Sequence, residues 1–140
     1  MREILFKGKR VDNGEWVYGM PCATRKSGIY AIQTFDGGIF DIIPESISEF
    51  TGLTDKNDKR IFEGDICCFR EWSKGKMCWC GEVHYEHQQF VISGNPNEEC
   101  ESPFLLVMSR FISENIEVIG NIHDNPELLG GEDNENTKVY

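Results

Sequence analysis

A chain of 140 residues suits one domain or two small subdomains, and at that size roughly two-thirds of the unfolded surface is buried on folding, enough for a packed core. Apolar side chains make up 39% and aromatic ones 11%, with 14 glycines among them, which excludes a disordered chain and favours strands over long helices. Fourteen basic against 24 acidic side chains leave a formal charge of −10, a surface that repels phosphate and argues against direct nucleic-acid binding.

The opening Met1-Arg-Glu-Ile-Leu-Phe-Lys7 holds no apolar run of signal-peptide length, and no segment reaches bilayer-spanning length. A cytoplasmic protein without membrane attachment is therefore expected. The six cysteines Cys22, Cys67, Cys68, Cys78, Cys80 and Cys100 are even in number. Without an export signal a disulfide framework loses its premise, and reduced, mostly idle thiols are expected.

Taken in order, Ile4 to Val11 and Glu15 to Tyr18 flank Asp12-Asn13-Gly14. Asn-Gly between strand-like runs predicts a hairpin, because both residues accept positive φ. Residues 19–28 show no clear periodicity and carry turn formers at both ends, so a loop is predicted there. A second hairpin follows, Ile29 to Phe35 and Ile39 to Ile43 around Asp36-Gly37-Gly38. Pro44 to Phe50 fits either an extended segment or one helical turn beginning at Pro44.

Phe50 to Ile66 is dense in turn formers and divides the chain's two sets of strands. Gly52 and Gly64 allow backbone angles that other residues resist, Asn57-Asp58 suits a left-handed turn, and Asp65 suits a cap. Ile66 to Arg70 reads as a strand. Met77 to Tyr85 and Phe90 to Ser93 read as a pair, with Gly81 marking a bulge or bend. Phe104 to Ser109 is the most apolar run and predicts a central strand or a buried short helix. Ile116 to Ile122 is a last strand, with Gly120-Asn121 as turn chemistry and Pro126 with Leu128-Leu129 as a chain-end clasp. The remainder, 130–140, is glycine-led and acidic and is expected to be a mobile tail.

Three segments together resemble the YopX family, encoded largely by phages and prophages. They are Gly14-Glu-Trp-Val-Tyr-Gly19, the whole of Phe50 to Ile66, and Glu117-Val-Ile-Gly-Asn-Ile-His-Asp-Asn-Pro-Glu-Leu-Leu129. Asn57-Asp58 stands where the family usually has Asn-Gly, and Cys67-Cys68 where it usually has aliphatic residues. The resemblance implies a mainly β architecture, with N-terminal hairpins over 1–50, an SH3-like small β-barrel over 51–129, little helix, and a homo-oligomer. It implies no activity and no catalytic residues.

Chemistry-bearing constellations are few. Cys67, Cys68, Cys78, Cys80, His84 and His87 offer nitrogen and sulfur ligands for zinc, but their spacing departs from that of structural zinc sites. Cys78 or Cys80 with His84 is the one pairing suited to a thiol nucleophile. No phosphate-cradling glycine loop, nucleophile elbow, zinc-protease helix or calcium loop is present, so neither an enzyme nor a cofactor is predicted. Aromatic residues suit an interaction surface, with Trp72, Trp16 and Tyr18 as the candidates. The expected protein is a non-catalytic, self-associating phage accessory module that engages a host or phage protein. The alternatives are a basic patch of Lys7, Lys9, Arg10, Arg25 and Lys26 for nucleic acid, an acidic nucleic-acid mimic, or, behind these, a Cys- or zinc-dependent protein.

Overall fold

The computed structural model describes residues 3–23, 30–71, 76–86, 88–96, 105–107 and 115–129. Eleven strands carry these residues: β1 (Phe6–Lys9), β2 (Trp16–Ala23), β3 (Tyr30–Gln33), β4 (Ile39–Asp41), β5 (Ser48–Thr54), β6 (Arg60–Phe62), β7 (Asp65–Glu71), β8 (Lys76–Glu86), β9 (Gln89–Pro96), β10 (Leu105–Val107) and β11 (Ile116–Asn121). Two 3-10 turns, Pro44–Ser46 and Pro126–Leu129, are the helical elements among the described residues. The strands form a six-stranded sheet in the order β4-β3-β2-β1-β5-β6 and a five-stranded sheet in the order β10-β9-β8-β7-β11. All strand pairings with a defined register are antiparallel. The protein is thus mainly β, but both sheets are open, with free ends to their strand order, where the family resemblance implied a barrel. The chain separates into two compact units, Met1–Gly52 and Leu53–Tyr140.

In the first unit the two hairpins form where their turn residues predict. Gly14 takes φ 74° and Gly37 φ 99°, angles that cost glycine little. The Asn13 side-chain oxygen accepts the Glu15 N–H at 2.9 Å. The predicted loop over 19–28 is corrected in its first half, because β2 continues through Ala23 and pairs Met20 to Ala23 with Gln33 to Tyr30. Pro21 hid this continuation. It lies past the last β1 partner, Gly19 opposite Phe6, on a stretch of β2 with one recorded neighbour, where a missing N–H is tolerated.

Cross-strand partners share a sheet face. One face therefore stacks Gly8 with Val17, and Pro21 with Ile32 and Phe40. Ile32 and Ile42 are fully buried. Gly8 makes room for them, since a Cβ there would lie 2.5 Å from Ile42 Cδ1. Pro44 starts a 3-10 turn, deciding between the two readings of 44–50. The Ser46 hydroxyl pins this turn to β1 by accepting the Lys9 N–H at 2.8 Å and donating to the Ile43 carbonyl at 2.6 Å.

The second unit is built on Ile61, Cys67, Val83, Ile92, Ile116 and Val118, with Leu53 packed against them. Its central β7 pairs with β8 on one side and β11 on the other. Leu105–Val107, expected at the centre of a sheet or in a helix, forms strand β10 at the end of the order. A bulge or bend was expected at Gly81, and the bulge in the β7–β8 ladder lies at Cys78. Phe69 faces Trp79 while Arg70 faces Met77, so Cys78 is the extra residue.

The family-signature turn is held by a buried carboxylate. Asp55 Oδ1 accepts the Asn57 N–H at 2.8 Å and the Lys59 N–H at 2.9 Å. Its Oδ2 accepts the Val118 N–H of β11 at 2.9 Å. Asp58 sits in this turn at φ 63°. Gly64, at φ 88°, donates its N–H to the Val83 carbonyl at 2.7 Å and accepts the Ile122 N–H at 2.9 Å. Asp65 accepts the Phe62 N–H at 2.8 Å. Asp58→Gly is expected to stabilise the chain by about 0.5–1 kcal/mol, because it relieves a left-handed side chain at some cost in unfolded-state entropy. A urea unfolding midpoint unchanged or lowered in the glycine variant would contradict that expectation.

Candidate functional site

The face of the first sheet opposite Ile32 and Ile42 carries a row of exposed apolar side chains. Along β2, Trp16, Tyr18, Met20 and Cys22 alternate onto this face. The register extends it sideways, since Met20 pairs with Gln33 and Gln33 with Ile39. Tyr18 is 47% exposed, Met20 42% and Ile39 56%, so the face is open along β2 and towards the β4 edge. On the β1 side Lys7 opposes Tyr18 and Lys9 opposes Trp16. Both ammonium groups reach the half-buried Trp16 ring, Lys7 at 4.5 Å and Lys9 at 5.7 Å from its centroid, a cation–π geometry that holds the indole and the lysine stems together.

A groove of about 300 Å³ adjoins this face, lined by Arg10, Val11, Asp12, Ile39, Phe40 and Asp41. The Arg10 guanidinium stacks on Phe40 at 4.4 Å and donates from Nε and Nη2 to Asp12 at 2.9 and 2.6 Å. That hydrogen bond holds the Asp12 carboxyl below, and Arg10 above, their ordinary ranges. Asp36 is likewise held low, chiefly by the Thr34 hydroxyl in the second hairpin turn.

Of the residues expected to form an interaction surface, Trp16 and Tyr18 lie on one face, while Trp72 lies outside the described residues. Met20 and Ile39 join them and were missed. The signal for Met20 was the alternation Trp16, Tyr18, Met20, Cys22, which the turn-like composition of 19–28 obscured. The basic patch does not assemble on one face: Lys7 and Lys9 project beside Trp16, and Arg10 projects from the opposite face against Phe40. Arg25 and Lys26 lie outside the described residues.

The described members of the cysteine–histidine set do not converge on one metal-holding point. Cys68 and Cys80 are joined in a disulfide, their Cα atoms 4.0 Å apart, which corrects the expectation of idle thiols. Cys67 is free and buried in the core, and burial first, then the Asp65 and Asp55 carboxylates, push its thiol up. His84 Nδ1 lies 3.4 Å from the Ser93 hydroxyl. Among the described residues no group of three His, Cys, Asp or Glu side chains is placed to hold a metal. Position 87 and the Cys78 side chain lie outside what the structure describes.

The structural-motif residues close turns. A Cβ on Gly120 would lie 2.6 Å from Asn125 Oδ1. Asn121 Oδ1 accepts the N–H groups of His123 and Asp124 at 2.9 and 2.8 Å. Pro126 opens the final 3-10 turn. No helix among the described residues is long and apolar enough to cross a membrane.

No curated protein matches the chain. The crystal structure of protein EF1440 from Enterococcus faecalis is similar, with a TM-score of 0.58 at 26% identity, over 92% of this chain and 99% of that one. The family model described as YopX protein matches residues 6–130. The match spans both sheets and the turn clamped by Asp55, so the chain belongs to the YopX family.

Proposed function

We propose that this is a non-catalytic protein-interaction module of phage or prophage origin, which self-associates and engages a host or phage protein through the open face of its first sheet. One observation carries the reading: Tyr18, Met20 and Ile39 are exposed together on one sheet face, beside a Trp16 ring flanked by two lysines. Aromatic and methionine side chains rimmed by polar groups are the composition that protein interfaces favour. Asp55 and Asn121, two of the polar residues of the family segments, hold backbone N–H groups.

The test is the pair of substitutions Tyr18→Asp and Met20→Asp, at exposed positions whose loss leaves the Ile32–Ile42 core in place. Sedimentation velocity is expected to show association of the natural chain that the double variant lacks. Capture from cells expressing the phage genes is expected to lose the same partner. A natural chain that stays monomeric and captures the same proteins as the variant would remove the reading.

A further inference from the structure

We propose that Cys68 and Cys80 are a reversible thiol–disulfide couple, exchanged from the Cys80 side, that fastens the β7–β8 hairpin. The pair is selected by register. Were the pairing of Arg70 with Met77 continued down the hairpin, Cys67 would face Cys80 and Cys68 would face Trp79. The extra residue Cys78 shifts the ladder by one, so Cys68 faces Cys80 and Cys67 faces Gly81. A one-residue shift exchanges sheet faces. Cys67 therefore points into the core with Val83 and Val118, away from the bridge.

Two features make this pair a couple that exchanges in the folded protein. The first is access: Cys68 is 4% exposed, whereas Cys80 is only partly buried, so Cys80 is the more open side for an incoming thiolate. The second is that the hairpin has other supports. The ladder from Ile66 opposite Glu82 to Glu71 opposite Lys76 runs on both sides of the bridge. The apolar cluster of Ile61, Val83, Ile92 and Ile116 lies on the other face. Reduction thus removes the cross-link and leaves strand pairing and core in place.

The chemistry balances with a small monothiol. Its thiolate attacks Cys80 Sγ, the Cys68 sulfur departs and takes a proton, and a mixed disulfide remains on Cys80. A second thiolate attacks the small-molecule sulfur of that mixed disulfide, releasing Cys80 as a thiol and giving the oxidised dimer of the reductant. The protein gains two electrons and two protons. The reverse sequence, with a small disulfide as oxidant, restores the bridge. Cys67, buried and with its thiol pushed up, does not compete for either sulfur.

The full chain is equilibrated in graded mixtures of reduced and oxidised glutathione, quenched by acid and alkylated, and each cysteine is mapped by mass spectrometry, with circular dichroism recorded alongside. Cys68 and Cys80 are expected to move together through one two-electron transition while the β spectrum is retained. In Cys68→Ser, Cys80 is expected to take up glutathione at least tenfold faster than Cys68 does in Cys80→Ser. A bridge that persists in the most reducing mixture, a bridge that never forms in the most oxidising one, unfolding on reduction, or a mixed disulfide on Cys67 would each overturn the proposal.

Discussion

Replacing Asp55 with alanine is expected to cost the second unit about 3–5 kcal/mol, the range for removing one partner from a buried, charge-assisted network. The carboxylate is 4% exposed and accepts three backbone N–H groups, two from its own turn and one from β11. Alanine leaves all three donors without that acceptor, and the Val118 N–H among them is buried away from water. Asp55→Asn would separate the contributions, because the amide's carbonyl oxygen still serves Asn57 and Lys59 while its nitrogen confronts the Val118 N–H. About half the loss, roughly 2 kcal/mol, is expected for this amide variant. Equilibrium urea unfolding measures both, and an alanine variant within about 1 kcal/mol of the natural chain, the worth of one ordinary hydrogen bond, would show that the clamp is dispensable.

The first sheet is expected to fail at Gly19. A Cβ built there lies 2.0 Å from the Gln33 carbonyl oxygen and 2.8 Å from its carbon. Both are backbone atoms of the paired strand, so no side-chain rotation relieves the clash and β3 itself must move. Gly19→Ala is expected to cost about 3 kcal/mol or more, at the upper end of overpacking. Gly14 gives the contrast. It takes φ 74° with nothing within 4 Å of a built Cβ, so Gly14→Ala meets only conformational strain, about 1 kcal/mol. Thermal unfolding of the two variants side by side is the measurement, and equal losses would contradict the close approach of β2 and β3.

Features legible in the sequence were local ones. Asn13-Gly14 and Gly37 announced hairpins because their turn chemistry depends on neighbouring residues, and the three family segments announced YopX membership. Features that depend on pairing between distant residues were not legible. Asp55 drew no reading of its own, because its third partner lies 63 residues away. The Cys68–Cys80 bridge was hidden by the shift at Cys78, which no composition rule places. Met20 and Ile39 became neighbours only through the Met20–Gln33–Ile39 row. A strand's exposed face is set by its partners' register as much as by its own alternation.

The pairing of β7 with β11 also orders events during synthesis. The strands β7 and β8 are neighbours in sequence and meet by closing one short connection, whereas β11 must return across the intervening β8, β9 and β10. Such long-range closure is the slow step in β topologies, because chain entropy is lost before contacts repay it. A nascent chain that has not yet delivered Val118 presents one side of β7 unpaired and an Asp55 carboxylate still awaiting its third donor. Arrival of β11 closes both at once, so the acidic turn is completed by a residue translated 63 positions after it.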